Sequence, residues 1–319
     1  VIPPVVVGSA ARDLTPEDPR GWRLGGAVTY AGLTLARLGL RPRILLGVDE
    51  AGSAASELDL LRAAGADLRL VPLPASPVFE NREGPSGRIQ VCAEPGVRIP
   101  PAVPPDWAAA EAWFLGPVAD ELGPEWASVP RPGALVAVGW QGLLRELPRG
   151  GLVTRRRPSA TPLIERATIV GLSHHDVDQD LTADELTRLL TPPATLVLTR
   201  GEAGGLVVEL LAGGRRRSRV YPAIPADAVI DPTGAGDTFL AALMAARLGH
   251  PLAGSGRRGA DLRLAAATAS LVVEAPGLLG VPTLAAVAER MRLTLRRPGS
   301  SAEAGDPDIA QSAEADEAG

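Results

Sequence analysis

Asp231-Pro232-Thr233-Gly234-Ala235-Gly236-Asp237-Thr238-Phe239 runs directly into Leu240-Ala-Ala-Leu-Met-Ala-Ala-Arg-Leu-Gly249. An apolar approach, Val229-Ile230, meets a turn with two glycines, and an alanine-rich helix is expected after it. Gly234 and Gly236 permit backbone conformations closed to other residues. The first amides of a helix lack internal partners, and the helix dipole adds positive potential there, so the turn reads as an anion cradle. Asp237 stands where an anion would be held, which is repulsive unless the carboxylate handles a proton. A cradle beside a carboxylate suits phosphoryl transfer to a hydroxyl: the amides hold the moving phosphate and the Asp takes the proton. A plain loop with Asp237 favourably placed at a helix start has the same spacing, and these residues alone leave both readings open.

The stretch resembles the C-terminal signature of the ribokinase family, the phosphofructokinase-B-like carbohydrate kinases. That signature reads Asp-Thr-Thr-Gly-Ala-Gly-Asp-x-Phe, so Pro232 is a mild departure. Far upstream, Gly25-Gly26-Ala-Val-Thr-Tyr30-Ala-Gly-Leu-Thr-Leu-Ala-Arg37-Leu38-Gly39 resembles the family's N-terminal signature, two glycines opening a helix that ends in Arg-Leu-Gly. The order and separation of the two motifs match the family, and the resemblance covers roughly the first 295 residues. It implies a ribokinase-like three-layer α/β/α sandwich with a mainly parallel central sheet and a small β lid. One kinase domain is expected over 1–298, with the lid formed by about 9–24 and 76–93, and 299–319 reads as a disordered acidic tail.

Composition agrees with a large α/β core: 319 residues, 45% of them hydrophobic. Of the net charge of −5, six acidic charges fall within 299–319, so the remainder carries +1 and no nucleic-acid footprint is indicated. The chain has no Lys, and all 32 basic residues are Arg. A P-loop lysine is therefore impossible, and phosphates must be met by Arg, amides or a metal. The single cysteine, Cys92, cannot form an internal disulfide and suits a reducing cytoplasm. No apolar run reaches membrane-spanning length, so no membrane role is expected.

Along the chain, short apolar runs predict strands: Pro4–Gly8, Arg43–Val48, Leu68–Val71, Ala112–Pro117, Gly133–Val138, Ala167–Gly171 and Ala194–Thr199. A helix over Ala54–Ala64 is predicted between the second and third of these, and alanine-rich helices over Asp261–Glu274 and Thr283–Leu295. Alternation of this kind argues for a parallel sheet. Residues 76–93 break the rhythm and read as a hairpin around Gly84-Pro-Ser-Gly87. Gly205–Leu211 and Arg215–Tyr221 read as an antiparallel pair.

The remaining assignments come with the resemblance. Asp237 is the implied base, with Gly234, Ala235 and Gly236 as the cradle. Asp13, Gly25 and Gly26 are implied to hold the acceptor, and Arg88 is placed on the lid. Tyr30 stands near the position of an Asn that contacts substrate in many members. Thr199-Arg-Gly201-Glu-Ala-Gly204 resembles the Thr-x-Gly-x-x-Gly nucleotide turn. Ser173-x-x-Asp176 keeps the spacing of the Asn-x-x-Glu that helps place magnesium, with both groups weakened. Gly139-Trp-Gln141-Gly-Leu-Leu-Arg145 partly matches an Asp-x-Gln-Gly-x-x-Arg stretch. ATP and Mg2+ are the implied cofactors, with a monovalent cation near Asp231 and Thr233. The implied partners are a small-molecule acceptor and a second subunit through the lid, in the cytoplasm. The competing class is a non-catalytic sugar- or nucleoside-binding protein that kept the fold. Ser173-x-x-Asp176 favours it and the intact Gly-Ala-Gly-Asp opposes it.

Overall fold

The structure is a computed structural model describing residues 3–84, 87–254 and 259–296; the side chains of 83–88, 295 and 296 lie outside that description, as does the expected tail at 299–319. In chain order the elements are β1 (Val5–Ser9), β2 (Ala11–Leu14), β3 (Trp22–Gly25), α1 (Ala27–Arg37), β4 (Arg43–Val48), α2 (Glu50–Ser53), α3 (Glu57–Ala63), β5 (Asp67–Pro72), β6 (Val78–Gly84), β7 (Gly87–Glu94), β8 (Ala112–Leu115) and β9 (Leu135–Gly139). There follow β10 (Arg145–Glu146), β11 (Gly151–Leu152), β12 (Thr154–Arg155), α4 (Pro162–Arg166), β13 (Ile169–Ser173), α5 (Ala183–Thr187), β14 (Ala194–Thr199), β15 (Gly205–Leu210), β16 (Arg216–Tyr221), α6 (Ala235–Arg247), α7 (Ala260–Val272) and α8 (Leu284–Arg296).

Buried strands with apolar side chains on both faces build the centre. Val6 enters one core with Phe114, Ala137 and Val197, while Val5 and Val7 enter another with Leu115, Val138 and Leu196. This is the period-2 alternation of a strand covered on both sides. The sheet has nine strands in the order β16-β15-β14-β13-β9-β8-β1-β4-β5. Pairs from β5 through β14 are parallel, and β14-β15-β16 are antiparallel. The strands expected at Val5, Ile44, Leu135, Thr168 and Leu196 all lie in it. Helices α1, α6 and α7 cover one face through alanine- and leucine-lined contacts. The other face is closed by Trp107, Trp113, Trp126 and Trp140, all essentially inaccessible, with α4 and α5. Each fully buried large side chain contributes about 1.5–3 kcal/mol relative to exposure.

A second sheet has five strands in the order β11-β7-β6-β2-β3. The hairpin expected over 76–93 is its β6–β7 pair, and 11–25 supplies β2 and β3. Two local features go beyond the expected elements. The helix expected over Ala54–Ala64 is α3, and a short helix with no counterpart in the expectation, α2, precedes it, started by the Asp49 carboxylate, which accepts from Gly52 N at 2.8 Å. Residues 145–155, which carried no structural expectation beyond the motif ending at Arg145, form the β10–β12 pair and the β11 strand that joins β7.

Candidate active site

Two helix starts define the site. Helix α6 begins at Gly234, which has φ 78 and ψ 0, the left-handed region that favours glycine. Helix α1 begins at Gly26, with φ 104, where a Cβ would lie 2.7 Å from the Ser9 carbonyl oxygen. The two helices pack start to start. Tyr30 in the first turn of α1 lies against Gly234, and one turn further Thr34 Oγ1 stands 3.5 Å from Thr238 Oγ1. Both helix dipoles therefore point their positive ends toward the edge where β1, β9, β13 and β14 end. Open α/β sheets gather ligands at that edge.

The cradle carries a telling glycine. Gly236 sits inside α6 with ordinary helical backbone, and a Cβ there would meet no heavy atom within 4 Å beyond its own helix and chain neighbours. Neither backbone geometry nor protein packing requires a glycine at 236. Space in front of the first amides of a helix is what a phosphate needs.

Asp237 is half-buried beside this space. Its pKa is pushed up to about 7, first by burial; the Arg145 guanidinium pulls it down and the Asp176 carboxylate pushes it further up. A pKa near 7 puts the protonation of Asp237 within reach of neutral pH. Its Oδ1 would lie 3.8 Å from a Cβ on Gly139, the last residue of β9. An Asp at 139, as in the motif that this loop partly matches, would set a second carboxylate against Asp237; Gly139 leaves that space open.

Residue 139 begins a loop that serves both carboxylates. Gln141 Nε2 donates to Asp176 Oδ1 at 2.8 Å, and Ser173 N donates to Asp176 Oδ2 at 2.8 Å. Arg145 ends the loop, with its guanidinium 5.9 Å from the Phe79 ring centre. Gln141 and Arg145 belong to the partly matching Gly139–Arg145 stretch, which by itself gives neither a site role. Their effect on Asp176 and Asp237 arises from contacts across the sheet edge.

Where the acceptor is expected, Asp13 Oδ2 would lie 2.6 Å from a Cβ on Gly25, so the carboxylate fills the side-chain space of that glycine. Strand register puts Asp13, Phe79, Asn81, Gln90 and Cys92 on one face of the second sheet. Phe79 and Cys92 pack there against Ala27 and Val118 of the main body, and Gln90 Nε2 donates to Asn81 Oδ1 at 3.0 Å. The side chain of Arg88, expected on the lid, lies outside the described residues. Tyr30 is only 2% exposed, so its ring is buried under the turn rather than presented to the crevice.

At the turn expected to meet the nucleotide, the Thr199 carbonyl lies 3.2 Å from His174 Nδ1, which ties the end of β14 to the Ser173–Asp176 turn. Gly201 is exposed with φ 56, whereas Gly204 is buried and a Cβ there would lie 2.0 Å from the Tyr221 carbonyl oxygen. Gly204 thus packs behind the turn rather than lining it. Asp176, expected at magnesium, sits in the turn after β13, and Asp231 and Thr233, expected at a monovalent cation, sit in the loop before α6. Asp231 Oδ1 accepts from Thr233 N and Oδ2 from Gly277 N, both at 2.9 Å, which makes it a brace between the cradle and the 277–280 turn. Among the described residues no group of three or more His, Cys, Asp or Glu could hold a metal ion. Asp176, oriented by Gln141 and Ser173 N, is the carboxylate that would help hold a Mg2+ brought in with a phosphate donor. Among the described residues no helix is long and apolar enough to cross a membrane.

The fold and these two helix starts define a ribokinase-like α/β protein with a large, mostly parallel sheet. The solved structure of the Methanocaldococcus jannaschii nucleoside kinase, an archaeal member of the ribokinase family, superposes with a TM-score of 0.65 at 20% identity, covering 92% of this chain and 99% of that one. Arabidopsis thaliana ribokinase, solved with ribose and ATP, gives 0.65 at 18% identity over 91% and 98%. A pyrophosphate-dependent myo-inositol-1 kinase, converted by substitution into a myo-inositol-3 kinase, gives 0.67 at 16% over 91% and 99%. At these identities the likeness establishes the fold. In sequence, the Methanocaldococcus jannaschii nucleoside kinase is 32% identical over 133 residues, a stretch spanning 40% of this chain and 40% of that relative. Residues 163–284, which hold the cradle and Asp237, match the pfkB family carbohydrate kinase model. Residues 163–284 are thus similar to pfkB family carbohydrate kinases, and the structures that share the fold are ribokinase-family kinases.

Proposed function

We propose that this protein transfers the γ-phosphoryl group of ATP to a hydroxyl of a small polyhydroxylated acceptor: a sugar, an inositol-like polyol or a nucleoside. The observation that carries the reading is Gly236, a helical glycine with open space before it, adjacent to a carboxylate whose pKa stands near 7. A general base works best when its pKa lies near the operating pH.

In this reading the amides of Ala235, Gly236 and Asp237 face the charge that develops on the moving phosphoryl group. Asp237 takes the proton from the attacking hydroxyl. Asp13 accepts hydrogen bonds from neighbouring acceptor hydroxyls, and the second sheet acts as the lid over them. Thr199 and Gly201 lie against the nucleotide. When bound, Mg2+ would neutralise charge on the donor phosphates. Arg145 and the Asn81–Gln90 pair line the acceptor side with groups that suit hydroxyls.

The test is phosphoryl transfer by purified protein, with ATP as donor and a parallel arm of inorganic pyrophosphate, over a panel of sugars, inositols and nucleosides. Acceptor-dependent ATP consumption with a phosphorylated product is the expected result. Tight acceptor binding by calorimetry, with no product from either donor, would establish the non-catalytic reading instead.

A further inference from the structure

Tyr30 occupies the position at which the resemblance leads one to expect an acceptor-binding Asn, yet its surroundings point elsewhere. A Cβ on Gly234 would lie 2.2 Å from Tyr30 Cδ1 and 2.4 Å from Cγ and Cε1, so the ring rests directly on the α-carbon of the residue that starts α6. Ring atom Cε2 lies 3.9 Å from the Cβ position of Gly25, which is itself occupied by Asp13. The ring is thus a wedge between the acceptor-side glycine pair and the cradle. At 2% exposure it offers the crevice almost no surface.

Gly234 has left-handed backbone, and its carbonyl accepts from Thr238 N at 2.9 Å. A free glycine samples left- and right-handed conformations about equally. Only one of these aims the amides of residues 235–237 into the open space before Gly236. A close-packed ring against the α-carbon excludes the alternatives by contact, since packed interiors do not deform continuously. The Thr34–Thr238 approach one turn further keeps the two helix starts in register.

We propose that Tyr30 is a positioning residue for the phosphoryl donor: its ring holds Gly234 in the left-handed conformation and so aims the cradle amides. This rests on the kinase reading of the site. The Tyr30 hydroxyl stays protonated, because burial and the carboxylates of Asp231, Asp13 and Asp237 raise its pKa well above the usual tyrosine value. The ring, not the hydroxyl, carries the role, so Phe should substitute for Tyr and Asn should not.

The experiment compares Tyr30→Asn and Tyr30→Phe with the parent protein by amide hydrogen exchange, with no ligand, and by calorimetry with Mg·ATP. In Tyr30→Asn the exchange of the Thr238 amide rises by about tenfold or more relative to amides in β1 and β14, which report global opening. Its donor Kd weakens by about tenfold while the acceptor KM moves by less than about twofold. Tyr30→Phe restores both quantities. If Tyr30→Asn proves too unstable to handle, Tyr30→Leu, which keeps apolar bulk without a flat ring, is read the same way. Unchanged Thr238 exchange in the Asn or Leu variant overturns the proposal, as does a rise in acceptor KM alone or loss of donor affinity in Tyr30→Phe. Exchange needs no turnover, so a chain that phosphorylates nothing in the panel sinks the kinase reading and still leaves Tyr30 decided.

Discussion

Asp237→Asn separates a catalytic base from a helix-capping residue, and the structure sets the size of the effect. Folding moves the Asp237 pKa from 3.8 to about 7. At about 1.36 kcal/mol per pH unit, holding that carboxylate ionised costs at most about 4 kcal/mol. Water in the crevice in front of a half-buried group reduces this to about 1–3 kcal/mol. The sign follows from proton uptake. Below pH 3.8 folded and unfolded chains both hold the proton; between 3.8 and about 7 the folded chain binds more, so stability falls as pH rises. Asn cannot ionise. The variant should match the parent near pH 4, pull ahead through pH 5 to 7, and stay ahead at pH 8 by about 2–6 °C in Tm, at about 2 °C per kcal/mol for a chain of this size. Turnover at pH 8 should fall by about 10²–10⁴, with little change in ATP affinity because the neighbouring amides remain. Paired melting curves from pH 4 to 8 and steady-state rates on the same preparations measure both effects. A helix cap predicts the reverse, a loss of about 1 kcal/mol with turnover nearly intact. A variant that melts lower than the parent at pH 8 and turns over normally would refute the reasoning.

Gly236→Ala adds a methyl that meets no protein atom beyond its own helix and chain neighbours within 4 Å and exchanges a poor helix former for the best one. We expect Tm to hold or rise, by up to about 1 kcal/mol in stability, while the donor KM climbs as the methyl enters the phosphate space; unchanged donor KM would show that nothing approaches this turn. Arg145→Gln removes the cation that draws the Asp237 pKa down. The acidic limb of the kcat/KM profile should therefore shift to higher pH, and a profile that stays put would mean that Arg145 does not act on Asp237.

Much was legible in the sequence because its signals were local. Valine-rich runs, Gly39 at the end of α1 and glycines at turns reflect preferences of a few adjacent residues, and they placed the strands of the main sheet. The same holds for Gly234 and Asp237, whose meaning lies in a helix start. The shortest elements were not legible: α2 is a single turn capped by Asp49, and β11 was too short to show a pattern until β7 paired with it. Only the tertiary structure decided which glycines are packed from behind and which face open space. Gly204 is filled from behind by Tyr221 and Gly234 by Tyr30, while Gly236 faces open space, and that difference depends on atoms far away in the chain. It also decided the charge state of Asp237. Burial, Arg145 and Asp176 act on it from three different elements, and electrostatic energy depends on distance through space rather than along the chain.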